Sequence, residues 1–549
     1  TRAAGGMCRV SASNYNKYGS APTKEDLDVH YDVCVVGCGA SGATVALLFA
    51  QAGLSVLVIE QGGHVTEDVS YDDILAESEA AWVRQENGTW DKTGYPWTTC
   101  NVGGGTVFYG GAFFRNRPID FNPETVLGPA DLPLEWPWSY DDLDPYYTAI
   151  EYLVGVAGSQ ETDPTLPRRR VPYPMPAVDR SAEGNLISTG AANLGLRPFT
   201  TPLAINSRAY RGREQCIADA PCISRKCPVE AKGDAFTRFL VPAIQRGAKL
   251  FAGMKACQLL SDRARRASTL ETVRVDTGQR YQFSAERFFI CGNAIQTAGL
   301  LLRSSSATYP QGIGNSTDMV GRGLCFKLSE YIVGYHQGHT KQDPLALSDS
   351  GKLMGNGAFS TCAVTDYYLD DEAPGGLGGI LYEARPERPY RLRSKEQIVR
   401  MEALVPDEPQ RTNRIRLAQT KDAFGVPELV MDYQAHPRDL ARLEYMIRKG
   451  EKILEAAGCQ LSVREPSGWA LGSSHLHGTC RMGVDPATSV TNPDGRLHDT
   501  DNVYIGDGAL LPFPSGANPT LTIQAVALRT AHRVLESELG HDIPLKNFL

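Results

Sequence analysis

No apolar run in this sequence approaches the roughly 18 to 20 residues that a membrane-spanning helix needs. Long runs of lysine and arginine are missing too, and the net charge of −8 is spread along the chain. Without a basic stripe there is little to neutralise phosphates, which excludes nucleic acid and anionic membrane surfaces as partners. Internal repeats and low-complexity tracts are also absent, which sets repeat architectures aside. The stretch from Thr1 to His30 is polar and lacks a signal-type apolar core. A cytoplasmic location is therefore the expectation, with secretion still open should Thr1 mark a trimmed start.

Cysteine is plentiful, at 13 residues, but its pattern is not that of a secreted disulfide framework. Cys34, Cys38, Cys257 and Cys291 fall in strand-like segments and read as core thiols in a reducing compartment. Cys216, Cys222 and Cys227 stand closer together, but their spacing fits neither a zinc ribbon nor a ferredoxin motif. No fourth ligand lies nearby, so no metal is expected, and the block reads as a structural knot or one disulfide.

At 549 residues the chain is too long for one compact core. Its 42% apolar and 8% aromatic content is ordinary for a globular enzyme. Residues 31–36 read as an apolar strand, followed by Gly37-Cys38-Gly39-Ala40-Ser41-Gly42, a helix over 43–52, and a second strand over 55–59 ending at Glu60. Strand, Gly-x-Gly-x-x-Gly, helix, strand and acid together form a dinucleotide-binding βαβ unit. The glycines permit a tight turn, the helix N-terminus receives the pyrophosphate, and Glu60 accepts ribose hydroxyls while repelling a 2′-phosphate. The fingerprint occurs once, so one dinucleotide is expected.

Further parallel-sheet pieces come late, around 254–257, 287–290 and 502–505. The predicted class is α/β with α+β character. A discontinuous Rossmann-like cofactor domain (29–120, 226–315 and 471–549) is expected to accompany a substrate domain on an antiparallel sheet (121–225 and 316–470). Residues 1–28 form an N-terminal extension. The loops 342–357 and 370–379 are polar and rich in Gly and Pro, as surface loops or lids are.

Three segments carry chemistry. Gly103-Gly104-Gly105-Thr106 would serve little purpose in a strand and suits a flat cofactor lying against the backbone. His475 and His477 lack a third zinc ligand; a single imidazole with an ordinary pKa near 6.5 suits removal of a hydroxyl proton. His475 is assigned that task and His477 a packing role. Asn518 precedes Pro519 and a helix predicted from Thr520; it reads as a helix cap, a donor to a substrate oxygen, or both. Cofactor contacts are expected from Gly37, Gly39, Ser41, Gly42, Glu60, Gly104, Gly105, Thr106, Cys257, Asp507 and Thr520.

Across residues 29–540 these blocks, with Gly321-Arg322 after Gly312-Ile313-Gly314-Asn315, resemble the glucose–methanol–choline family of FAD-dependent oxidoreductases. The form Gly516-Ala517-Asn518-Pro519-Thr520 is nearest the pyranose-oxidase-like, glycoside-oxidising branch. That resemblance implies FAD, His475 as the catalytic histidine and Asn518 as its partner. Pyranose oxidases attach FAD through a histidine that aligns near Phe108, so this flavin is expected to be noncovalent; Cys480 stands where they carry a second histidine. The implied reaction oxidises a secondary alcohol of a sugar or glycoside to a ketone, passing electrons to oxygen, a quinone or a protein. Alternatives keep the fold with a steroid, aryl or long-chain alcohol as donor, or make the protein a redox-neutral lyase.

Overall fold

The computed structural model describes residues 17–66, 78–84, 88–159, 163–167, 169–218, 222–223, 225–261, 265–337, 357–385, 396–462, 465–466 and 474–548. Most of the predicted loop 342–357 lies outside the described residues. The fold is mixed α/β, with parallel and antiparallel sheets, as the sequence predicts.

Seven strands form the first sheet: β1 (His30–Val36), β2 (Val56–Ile59), β5 (Lys249–Phe251), β6 (Met254–Leu260), β7 (Thr269–Arg274), β8 (Arg280–Ile290) and β17 (Val503–Ile505). Parallel pairing runs β5-β2-β1-β8, and β17 joins the C-terminal half of β8. The N-terminal half of β8 instead pairs antiparallel with β7. Strands β1 and β2 are nearly continuous apolar runs because both faces are covered. Helix α1 (Ala40–Gln51) buries every residue from Ser41 to Ala50, packed against α6 (Thr520–Leu539).

The second sheet comprises β9 (Leu328–Gln337), β10 (Ala363–Val364), β11 (Ile380–Glu383), β12 (Glu396–Val405), β15 (Gln460–Leu461) and β16 (Glu465–Pro466). Its strands alternate as a half-covered antiparallel sheet requires. Leu328, Ile332, Val399, Met401 and Ala403 share a core with residues of α3 (Ala182–Asn193) and α5 (Pro437–Ala456). The opposite face, including Ser329, Tyr331, Arg400 and Glu402, fronts a cavity.

A third sheet was not foreseen. It pairs β3 (Ser78–Arg84) and β4 (Trp90–Thr99) with β13 (Arg414–Lys421) and β14 (Pro427–Asp432). Helix α2 (Tyr140–Val154) packs on α6, and its buried Glu151 binds Arg115 through both carboxylate oxygens. Helix α4 (Asn293–Arg303) follows β8 and completes the layer beside the cavity.

Cys216, Cys222 and Cys227 are all partly buried, and the Cys222 thiol is hydrogen-bonded to Cys216. Their block is knotted by Lys232, whose buried ammonium donates to the carbonyls of Cys222 at 2.7 Å, Arg225 at 2.8 Å and Tyr109 at 3.2 Å.

Candidate active site

The site grows from the turn after β1. Gly37 has φ +91°, and a Cβ there would lie 2.5 Å from the Cys291 carbonyl oxygen, so only glycine fits. A Cβ on Gly42 would come within 1.9 Å of the Gly37 oxygen. Gly42 therefore seats α1 on its own turn, whereas Gly37, Gly39 and Ser41 line the cavity. The helix begins at Gly39 without a side-chain cap, leaving its positive end toward the cavity. Glu60 closes β2, accepting from the Cys38 amide at 3.0 Å and the Gly62 amide at 2.8 Å. Burial pushes its pKa up, and those amides oppose the shift.

The second glycine segment meets the first backbone to backbone. Gly104 has φ +57°, and a Cβ on it would stand 2.8 Å from the Gly39 Cα. Gly105 differs: a Cβ there would meet no atom within 4 Å, because it faces the cavity. Thr106 locks this loop, its hydroxyl donating to the Gly103 oxygen at 2.7 Å and accepting from the Ala235 amide at 2.8 Å.

The C-terminal segments form the opposite wall. Asp507, just past β17, accepts from the Thr297 hydroxyl at 2.5 Å and the Ala509 amide at 2.9 Å, and burial raises its pKa to about 6. Thr520 opens α6 and also lines the cavity. Cys257 does not belong to this set. Along β6 it is Met254 and Ala256 that face the cavity, and strand alternation turns Cys257 into a cluster with Val273 and Val426.

His475 and Asn518 both line one cavity of about 640 Å³, which the glycine segments also line. The His475 imidazole is held well below its usual pKa, first by burial and second by the charge of Lys327. His477 is fully buried, with Nδ1 2.6 Å from the His475 carbonyl oxygen. Asn518 does not cap α6, whose N-cap is Pro519. Its Nδ2 instead donates to the Tyr382 hydroxyl at 3.4 Å, and its Oδ1 is buried without a protein partner among the described residues.

Two features escaped the sequence reading. Lys327, at φ +67°, is buried beneath the 515–518 loop, and its Nζ donates to the Ala517 carbonyl. Across the second sheet, Tyr382, Glu402 and Tyr331 fall in register on three adjacent strands and face the cavity. Period-two alternation in 329–337 and 396–405 is the signal that marks such a wall, but nothing in one strand identifies its neighbours.

The residues present fit FAD. Two glycine segments leave a cleft that a Cβ on Gly105 would enter, a helix N-terminus faces it, and the buried Asn101 Oδ1 on its wall is unpartnered among the described residues. Fold and site are those of an FAD-dependent oxidoreductase acting on CH–OH donors. The chain belongs to the GMC oxidoreductase family, whose N- and C-terminal profiles match residues 31–328 and 409–527. It is 42% identical to a 6‴-hydroxyparomomycin C oxidase of Streptomyces lividus, covering 93% of this chain and 92% of that one. A paromamine 6′-oxidase of Streptomyces fradiae is 41% identical with the same coverage. Among solved structures, a pyridoxine 4-oxidase from Mesorbium loti superposes with TM-score 0.66 at 16% identity, covering 94% of this chain and 100% of that one. No helix among the described residues is long and apolar enough to cross a membrane.

Proposed function

We propose that the enzyme oxidises a hydroxyl group of a sugar or glycoside, with an aminoglycoside as the donor. The observation that carries this is that His475 and Asn518, 43 positions apart, line the same cavity as the glycine segments. Support for the donor comes from the two Streptomyces relatives, and from a cavity wall whose sheet face is built of Ser329, Tyr331, Tyr382, Arg400 and Glu402. A steroid or long-chain alcohol calls for an apolar tunnel instead. The 6′ and 6‴ positions in the relatives' names favour an exocyclic CH2OH, oxidised to an aldehyde, over the ring alcohol expected from the sequence.

In this reading Glu60 receives the ribose, the N-terminus of α1 the pyrophosphate, and Gly104, Gly105 and Thr520 the flavin end. When bound, FAD supplies the hydride acceptor. The attachment is noncovalent, because the position that would carry a histidyl link is the phenyl ring of Phe108. His475 takes the hydroxyl proton. Its depressed pKa keeps the imidazole neutral at pH 7, ready to accept. Asn518, steered by Tyr382, presents its remaining N–H to the substrate oxygen and holds charge developing there. Oxygen as electron acceptor follows the oxidase relatives, with a quinone or protein acceptor as the alternatives.

The test is an anaerobic visible titration of the holoenzyme with paromamine, methyl glucosides, aryl alcohols and sterols. Bleaching of the flavin band by a sugar donor is expected. Bleaching only by aryl or sterol alcohols overturns the sugar assignment, and turnover without any bleaching points to a lyase.

A further inference from the structure

Resting on the reading that Asn518 presents its amide to the substrate oxygen, we propose that Tyr368 is a positioning residue for the reaction. Anchored by Asp120, it holds in place the loop that carries Asn518. Residues 515–518 form neither helix nor strand, and α6 begins after them with Pro519 as its N-cap and no side-chain cap. Their placement therefore depends on hydrogen bonds supplied by other parts of the chain. The Gly516 amide donates to the Tyr368 hydroxyl at 2.8 Å, and that hydroxyl donates to Asp120 Oδ1 at 2.6 Å. Tyr368 and Asp120 are both fully buried, and neither is among the residues that line the cavity.

A tyrosine hydroxyl carries one proton; the Asp120 carboxylate takes it, which leaves an oxygen lone pair for the Gly516 amide. Asp120 is itself fixed, its Oδ2 accepting from the Arg117 main-chain amide at 2.6 Å. The Arg117 guanidinium lies 4.8 Å over the Tyr368 ring and binds Asp163 through Nη2 at 2.8 Å, so the ring is clamped as well as its hydroxyl. The loop fits closely against it: a Cβ on Gly516 would stand 3.0 Å from Tyr368 Cε2 and 3.1 Å from the Gly379 Cα. One residue to either side, Ser515 Oγ donates to Asn116 Oδ1 at 2.7 Å and the Ala517 carbonyl accepts from Lys327. The Asn518 side chain has a long bond, 3.4 Å, to the Tyr382 hydroxyl. The aim of its amide is thus set largely by the backbone behind it, and a misplacement of about 1 Å near a reacting group costs on the order of a hundredfold in rate.

Tyr368→Phe keeps the ring and removes the hydroxyl, leaving the buried Gly516 amide without its acceptor. Anaerobic reduction of the holoenzyme flavin by paromamine is followed by stopped flow in wild type, Tyr368→Phe, Asn518→Ala and the double variant. Tyr368→Phe is expected to keep its flavin band and to bind the donor within a few-fold of wild type, while its reduction rate constant falls by roughly ten- to a hundredfold. In the Asn518→Ala background the same change is expected to cost less than about threefold, because the group it positions is gone. Gly516→Ala keeps every hydrogen-bonding group but presses on the Tyr368 ring. It is expected to slow reduction in the same Asn518-dependent way, and it carries the test should Tyr368→Phe fail to fold. Equal losses with and without Asn518, or an unchanged rate constant in Tyr368→Phe, overturn the proposal and leave the role of Asn518 standing. Undiminished reduction in Asn518→Ala, or none in wild type, removes the reading beneath the proposal and the proposal with it.

Discussion

The ammonium of Lys327 donates to the carbonyl of Ala517, the residue immediately before Asn518. The same ammonium is the second cause, after burial, of the low pKa of His475. One buried cation therefore acts on both residues proposed to handle the substrate oxygen. Burial lowers the pKa of Lys327 itself to about 7, against the opposing charges of Asp120 and Asp407. Replacing it with methionine removes a tether and a charge, and the two effects have separate readouts. Loss of the tether slows flavin reduction at every pH. Loss of the charge lets the His475 pKa rise toward 6.5, so the acid limb of the pH–rate profile moves to higher pH. Stopped-flow reduction across pH 5 to 9 measures both, and an unshifted limb rules out the electrostatic role.

Wild type provides the matching reference. Because the folded-state pKa of His475 is depressed, the free base persists as pH falls through the usual histidine range. Reduction is therefore expected to hold level down to pH 6.5 and decline only below it.

His475→Ala is expected to slow flavin reduction by roughly 10²- to 10⁴-fold, the scale of a lost general base. The visible spectrum of bound flavin persists, since the glycine segments and Glu60 are untouched. Unchanged reduction refutes the assignment.

Two neighbouring glycines separate packing from cofactor contact. Gly104→Ala forces a Cβ against Gly39 at a left-handed backbone position, so the melting temperature falls with or without added FAD. Gly105→Ala meets nothing in the protein. Its apoprotein should melt as wild type does, while FAD affinity drops. Parallel thermal melts and flavin-release titrations distinguish the two.

Glu60→Gln is expected to weaken FAD by roughly ten- to a hundredfold, the equivalent of about 1.5–3 kcal/mol for hydrogen bonds to a charged acceptor. Fluorescence of released flavin reports the change.

The nucleotide half of the site was legible because its determinants are local. The turn from Gly37 to Gly42 and the acid at Glu60 lie within one βαβ unit, where spacing alone dictates geometry. His475 and Asn518 were legible as motif positions. Cys257 lies off the cavity, a placement its strand does not reveal when read without its faces; Ala256, one residue earlier, takes the cavity side. Lys327 and the row of Tyr331, Tyr382 and Glu402 were invisible for a different reason. They arise from long-range strand register and from a lysine in a glycine-like backbone conformation, neither of which leaves a local signature.

The walls of the cofactor cavity are drawn from positions as distant as Val36 and Ile523. While the polypeptide is still being made, the first glycine turn leaves the ribosome long before its opposite wall exists. A nascent chain lacking the last thirty or so residues has neither Thr520 and Ile523 on the cavity wall nor the helix α6 that packs on α1. Cofactor capture is thus expected late in biogenesis, and C-terminal truncations that remove α6 should yield colourless protein even though every residue of the nucleotide fingerprint remains.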